Sequence, residues 1–576
     1  MKNKKILLVI TVVIAIIGLG VVIIFNKNES VEDLSSTNTT DSIDIDINTD
    51  DDDEKIDWSV YENVSYKLTK SLNITSEGVY NLTGTITNGS ITINTSGNVK
   101  LVLDGVSITN KSGPAIYVKQ AEDVVIELAN ESKNYLEDGS AYSGYDADVI
   151  GTLFSHDDLT LQGTGSLEVI SNNEDAIVGK DDLKFVSGTY IINATDDAIR
   201  GKDSVYIQDG TYTITSGGDG IKSTNDTDTS KGYILIENGT FNITSTLDAM
   251  QAETKLSIKN GTYTIETGGG SGIVSTDSTW GNWEPPTTSS STKKSDSAKG
   301  LKATKNLVIE NGTFDFNTSD DAIHCNSYAG IKNANITISS GDDGIHADNE
   351  LIIDSGNIDI TKSYEGLEAA KMTINGGTIS IVASDDGINI AGGQDSSAQS
   401  RPGANNYAQT SNNTLTINDG TIYINSTGDG IDVNGSAYIN GGNIQVDGPS
   451  RGGNGALDYD SVFQVNGGTL LAAGESGMLQ GCSSSSKIYN VTIIFKNNYG
   501  SDDKITITDS NNNEVISYSS KNGYNSLVIA SPKFESGQTY TIKVNNSTYD
   551  TFKISNITTT VGTSNNYGGG GPGQRR

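Results

Sequence analysis

The chain repeats itself at an interval of 22 residues. The repeated phrase reads acid, small residue, apolar residue at its last three positions, and its first position is a further acid in five of the nine copies. It occurs as Glu174-Asp175-Ala176-Ile177, Asp196-Asp197-Ala198-Ile199, Gly218-Asp219-Gly220-Ile221, Leu247-Asp248-Ala249-Met250, Asp320-Asp321-Ala322-Ile323, Asp342-Asp343-Gly344-Ile345, Tyr364-Glu365-Gly366-Leu367, Asp385-Asp386-Gly387-Ile388 and Gly428-Asp429-Gly430-Ile431. Its second acid steps through Asp175, Asp197 and Asp219, then through Asp321, Asp343 and Glu365, by 22 each time. Between phrases stands a second motif, as in Asn260-Gly261-Thr262-Tyr263 and Asn311-Gly312-Thr313-Phe314. A fixed period of this size specifies a solenoid, in which each unit buries its apolar face only against its neighbours.

The unit is β rather than α. Residues 351–367 show short alternating apolar runs separated by Gly, Asn, Ser and Asp, with nothing recurring at helical spacing. The dense leucine pattern of leucine-rich repeats is absent. The expected fold is all-β, a right-handed parallel β-helix of about 22 residues per coil, its coils stacked at roughly 4.8 Å. Glycine is 65 of 576 residues and proline only 7, which is turn-rich β protein rather than disorder.

The pattern divides the chain into five parts. Residues 1–26 hold Lys2, Lys4 and Lys5 followed by a charge-free run from Ile6 to Phe25, long enough to cross a bilayer. The basic flank places the N-terminus inside. No small-residue cleavage site and no lipobox cysteine follow, so the expectation is an uncleaved transmembrane signal anchor on an exported, cell-surface protein, or a secreted one if the segment is removed. Residues 27–57, with the run Asp50–Glu54, read as an acidic flexible linker. Residues 58–486 read as the β-helix, beginning with degenerate coils that include the acid-free phrase Gly113-Pro114-Ala115-Ile116. Insertions interrupt it at 224–231, 275–297 and 391–413. Residues 487–562 read as a small antiparallel β module that caps the open end. Residues 563–576 read as a disordered glycine-rich tail.

The net charge of −34 argues against nucleic acid and for cations, because phosphate binding requires lysine and arginine. The two cysteines, Cys325 and Cys482, give no metal motif, and no His/Cys cluster argues for zinc. Stacking the coils turns the phrases into columns of carboxylates: Asp175, Asp197, Asp219, Asp248, a gap at Ser271 and Lys299, then Asp321, Asp343, Glu365, Asp386 and Asp429. A partial second column holds Glu174, Asp196, Asp320, Asp342 and Asp385. Like charges at about 4.8 Å repel by a few kcal/mol at an effective dielectric near 20. Such a ladder calls for bound cations or raised carboxyl pKa values, and Ca2+ suits it as an ion of six to eight oxygen ligands. The competing role for these acids is to accept backbone N–H bonds at turns. A further column follows each phrase: Arg200, Lys222, Gln251, Val274, Lys302, His324, His346, Glu368, Asn389 and Asp432. It reads as a polar stripe that is either a solvated strand face or a surface that reads a polymer lying along the axis. Trp280 and Trp283, in the insertion beside Pro285 and Pro286, are either sugar-stacking aromatics or a local apolar plug.

The D-D-G-I coils, together with Ser295-Asp296-Ser297-Ala298-Lys299-Gly300-Leu301-Lys302-Ala303, Asp342-Asp343-Gly344-Ile345-His346-Ala347-Asp348, Glu365-Gly366-Leu367-Glu368-Ala369 and the glycine-rich tail, resemble a bacterial exported carbohydrate-binding β-helix family. The resemblance spans roughly residues 60–560. It implies a polysaccharide-lyase-like fold, Ca2+ held by the Asp rungs, and binding of pectic-type acidic polysaccharide and cellulose. Carried across by position, the rungs are Asp320, Asp321, Asp342, Asp343, Asp348, Glu365, Glu368, Asp385 and Asp386. Two other functions stay open. A Ca2+-dependent pectate lyase would use a basic residue for proton abstraction, and Arg200, Lys202 and Lys222 lie beside Asp196, Asp197 and Asp219. A surface adhesin or structural spacer would need no glycan specificity.

Overall fold

The computed structural model describes residues 56–272, 297–391, 413–451 and 453–563. Two compact units are distinguished, residues 1–44 and 45–576, and only the second contains described residues. The expected anchor, most of the linker, Trp280, Trp283 and most of the tail lie outside them. Among the described residues no helix is long and apolar enough to cross a membrane.

The second unit is a parallel β-solenoid. Each regular coil carries three strands, and each strand pairs in parallel with its equivalent one coil on. In the first sheet the apolar member of the phrase runs in unbroken register: Ile177, Ile199, Ile221, Met250, Leu301, Ile323, Ile345, Leu367, Ile388, Ile431 and Leu457. All of these are buried, and each contributes about 1.5–3 kcal/mol of apolar burial. The acid-free phrase joins the same sheet, with Ile116 between Ile91 and Leu153.

The third sheet shows why the second motif recurs. Strands such as Thr211–Ser216 alternate exposed and buried residues, as a pleated strand with one face on the core must. Their first inward residue forms an aromatic stack, Tyr190, Tyr212, Phe241, Tyr263 and Phe314, with ring centroids 5.1, 4.7, 4.8 and 4.4 Å apart. Such pairs add about 0.5–1.5 kcal/mol beyond their burial. The glycine two residues before each ring turns the chain. Gly261 has φ +136°, and a Cβ there would lie 2.7 Å from the Tyr263 hydroxyl. The Asn-Gly-Thr-aromatic motif is therefore one device, a positive-φ corner with the following ring folded over it.

One expected column position falls away. Gln251 pairs directly with Lys302, and Met250 with Leu301, so Ser271 is not a position of the carboxylate column, and Val274 lies outside the described residues. Lys299 does stand in the carboxylate column, between Asp248 and Asp321.

The C-terminal strands cover the end of the stack. Tyr524–Ala530 pairs antiparallel with Thr469–Gly474 of the last coil and with Asn490–Tyr499, which pairs in parallel with Thr558–Val561. A separate antiparallel sheet holds Ile505–Thr508, Glu514–Tyr518, Thr539–Val544 and Ser547–Lys553. Buried Asp447 fastens the module to the coils. It accepts hydrogen bonds from the Tyr518 hydroxyl at 2.7 Å, the Tyr423 hydroxyl at 2.9 Å and the Lys521 N–H at 2.9 Å.

Candidate functional site

The carboxylate column sits at the turn between the third sheet and the first. One oxygen of each acid does the same work in nearly every coil: it accepts the main-chain N–H of its successor. Asp175 Oδ1 takes the Asp197 N–H at 3.1 Å, Asp197 that of Asp219 at 2.8 Å, Asp219 that of Asp248 at 2.9 Å, and Asp248 that of Lys299 at 2.7 Å. Asp321 takes Asp343 at 3.0 Å, Asp343 takes Glu365 at 3.1 Å and Asp386 takes Asp429 at 2.6 Å. A buried turn N–H left unpaired would be costly, so this oxygen explains why the position is acidic. The turn-capping role and the cation-attracting role thus belong to the two oxygens of one carboxylate.

The other oxygen faces the polar stripe, and there the column changes character along its length. Arg200 reaches Asp175 at 3.3 Å and Asp197 at 3.7 Å, and Lys222 reaches Asp219 at 2.6 Å and Asp197 at 3.5 Å. Lys302 reaches Asp248 at 3.1 Å. Lys299 Nζ, almost wholly buried, bridges Asp320 at 2.9 Å and Asp321 at 2.6 Å. Burial pushes the Asp175 carboxyl up to about 7 and the Asp219 carboxyl up to about 6, with the neighbouring acids adding to the rise. Burial also opposes ionisation of Asp321, but Lys299 and His324 outweigh it and hold that carboxyl below its usual range.

The stripe is less exposed than the sequence suggests. His324 and His346 retain only 3% and 2% of their surface. Their rings lie 4.9 Å apart, with His324 Nδ1 2.9 Å from Asp321. His346 is surrounded by Asp343, Asp348 and Glu368. Among the proposed glycan contacts, Lys302 is therefore partly covered and engaged with Asp248, the two histidines are interior, and Trp280 and Trp283 lie outside the described residues. The sequence shows no histidine cluster because the two residues are 22 positions apart. Stacking by one coil makes them neighbours.

Beyond Glu368 the stripe supplies no cation among the described residues. Asn389 donates to Glu365 at 2.7 Å. In the next coils Asp386, Asp429 and Asp432 bring carboxylate oxygens within 4.8 Å of one another. Burial, reinforced by the neighbouring acids, pushes Asp386 up to about 9, Asp432 to about 7 and Asp429 to about 6. Asp458 stands in register after Asp432 and is also raised. Glu365 is raised well above the usual range, by burial first and then by Asp343 and Glu368. In the second column Asp320 and Asp342 lie with Asp321 in one group, exposed Asp196 has a raised carboxyl, and Asp385 stands beside the Tyr364 hydroxyl.

Asp432 belongs to this acidic group, and its place in the stripe register was the signal that could have found it. A further acidic group, Asp158, Asp181 and Asp182, forms at the opposite end of the first-sheet strand. Its signal was the recurring Asp-Asp-Leu at 157–159 and 181–183. Of the basic residues considered for lyase chemistry, Lys202 is exposed, while Arg200 and Lys222 are both held by column carboxylates. Burial works against the Lys222 charge, but Asp219 and Asp197 outweigh it and hold the ammonium above its ordinary value.

The fold and site define a β-solenoid with a carboxylate ladder. A model of the family described as carbohydrate-binding domain-containing protein matches residues 69–344. A curated relative of that description from Acetivibrio thermocellus is 36% identical over 128 residues, covering 21% of this chain and 45% of the relative. The chain thus spans less than half the length of the curated relative it matches. A solved structure, that of the polysaccharide lyase-like protein from C. thermocellum in a gadolinium derivative, is 33% identical, with a TM-score of 0.35, covering 36% of this chain and 91% of that one. The family resemblance drawn from the repeat phrases is met over residues 69–344. The acidic end of the ladder lies beyond that stretch.

Proposed function

We propose that this protein is a non-catalytic, Ca2+-dependent binder of acidic, pectic-type polysaccharide, exported and held at the cell surface by the apolar segment 6–25. One observation carries the reading. Asp386, Asp429 and Asp432 converge with no lysine, arginine or histidine paired to them among the described residues. Burial first, and the neighbouring acids after it, raise all three carboxyls, so a bound cation would offset the cost of ionising them. An all-oxygen donor set fits Ca2+, which takes carboxylates, carbonyls and water in flexible geometry. When bound there, Ca2+ supplies positive charge that a uronic-acid carboxylate can share. The protein's part is to hold three carboxylates close together, two at the turns before successive strands and one on the second of those strands, where successive coils present them to a polymer. Cellulose is a second candidate ligand of the same surface.

The lyase reading has less support. A base for proton abstraction works best with its pKa near the operating pH, and Lys222 is shifted the opposite way. The adhesin reading predicts no glycan retention at all. The deciding experiment passes the full chain over immobilised polygalacturonate with Ca2+ and then with chelator, while ultraviolet absorbance reports unsaturated product. Retention lost in chelator without product is the expected result. Product release would favour the lyase, and absence of retention in both conditions would favour the spacer.

A further inference from the structure

The middle of the ladder carries a chemistry that neither end has. His346 Nδ1 lies 2.8 Å from Glu368 Oε2 and 3.3 Å from Asp343 Oδ2. Its other ring nitrogen, Nε2, lies 3.1 Å from Asp348 Oδ1. His346 and Asp343 retain 2% and 1% of their surface, and the Glu368 side chain 14%. Among the described residues His346 is the only ion-pair partner of Asp343 and Glu368. Asp343 Oδ1 is occupied by the Glu365 N–H, which leaves Oδ2 turned toward the imidazole.

We infer that His346 Nδ1, Asp343 Oδ2 and Glu368 Oε2 form a binding site for a divalent transition ion of the zinc class, separate from the all-oxygen acidic end. Three donor atoms from two adjacent coils lie within 4.8 Å of one another. Arms of roughly 2.0–2.2 Å from such an ion place neighbouring ligand atoms roughly 3.3 Å apart, against 3.3 Å from Nδ1 to Asp343 and 2.8 Å to Glu368, which would open by about 0.5 Å. The second imidazole nitrogen is already held by a carboxylate, the arrangement that fixes tautomer and ring orientation in metal-bound histidines. An imidazole among the ligands favours borderline ions over Ca2+, which prefers oxygen.

Without an ion, a proton on Nδ1 stands between the two carboxylates. Burial works against that proton, but the three acids hold the imidazolium well above the ordinary histidine range. Binding exchanges it: the ion enters, one proton leaves to solvent, and no electrons move. The neighbouring group of Asp321, His324 and His346 is a poorer host, because Lys299 Nζ already lies 2.6 Å from Asp321 Oδ2.

This inference does not rest on the carbohydrate reading. The full chain, stripped with chelator, is titrated with Co2+ and followed by visible absorption, then challenged with Zn2+ and with excess Ca2+. The expected result is a nitrogen-ligated Co2+ spectrum at one equivalent, displaced by Zn2+ and not by Ca2+. H346Q and E368Q each weaken it by about tenfold or more. K259A, at an exposed ion pair outside the ladder, leaves it unchanged. Circular dichroism establishes that each variant is folded, and E368Q tests the site with the imidazole intact. Absence of a Co2+ spectrum, displacement by Ca2+ as readily as by Zn2+, or undiminished binding by folded H346Q or E368Q would overturn the inference. Loss of polysaccharide retention alone would not touch it.

Discussion

The two ends of the ladder share one backbone and differ in a single column of side chains. From Asp175 to Asp321 the stripe places Arg200, Lys222 and Lys302 against the carboxylates, and Lys299 replaces one acid outright. From Glu365 onward the same register positions hold Glu368, Asn389, Asp432 and Asp458. His324 and His346 stand at the crossover. The Oδ1-to-N–H bonds continue on both sides, so the coil geometry is indifferent to which regime applies. A repeat can thus keep its fold constant while one column changes from self-neutralised to cation-seeking.

The harshest way to break the contrast is Lys299→Met. It strips two carboxylates of a buried partner and is expected to cost about 3–5 kcal/mol, read as a lowered midpoint of urea denaturation. The acidic end should respond to pH with a defined sign. Asp386, Asp432 and Asp429 have folded-state values above the ordinary aspartate value of 3.8. Their contribution to stability is full below that value and is lost as pH rises through about 6, 7 and 9. In chelator, stability should therefore fall between pH 5 and 9 by about 1.4 kcal/mol per unit for each proton by which folded and unfolded states differ. Saturating Ca2+ should flatten that slope, and Asp432→Asn should reduce it without Ca2+.

A functional version sharpens the same comparison. Asp386→Asn combined with Asp429→Asn should reduce Ca2+-dependent retention on polygalacturonate about tenfold or more, since an uncharged amide is a weak Ca2+ ligand. Asp197→Asn, in the self-neutralised end, should leave retention within about twofold. The smallest effect belongs to ion pairs outside the ladder. Lys259 and Glu237, 3.2 Å apart on neighbouring coils, are both exposed. Lys259→Ala should change stability by less than about 0.5 kcal/mol, and a larger loss would mean that burial is not what separates ladder pairs from surface pairs.

Much of this was legible in the chain. The period fixed the solenoid, the alternation in Thr211–Ser216 fixed which residues face inward, and the 22-residue step placed Asp175, Asp197 and Asp219 in one column. The column position at Ser271 was misplaced because a uniform period cannot tell an insertion between coils from a coil, whereas strand pairing can. The stripe was read as solvated because alternation specifies a face and not its depth. His324 and His346 face away from the apolar core, and only the turn beside them reveals how little water reaches them.

The sequence by itself determined the architecture and the composition of each column, because a periodic pattern that buries one face can stack in only one register. Tertiary structure alone decided which carboxylates own a cation. Lys299 reaches Asp321 from a rung 22 residues away, and Glu368 reaches His346 from the next coil. Ion pairing is settled by distances of a few ångströms between residues remote in the chain, and no periodicity encodes which oxygen a flexible amine will choose.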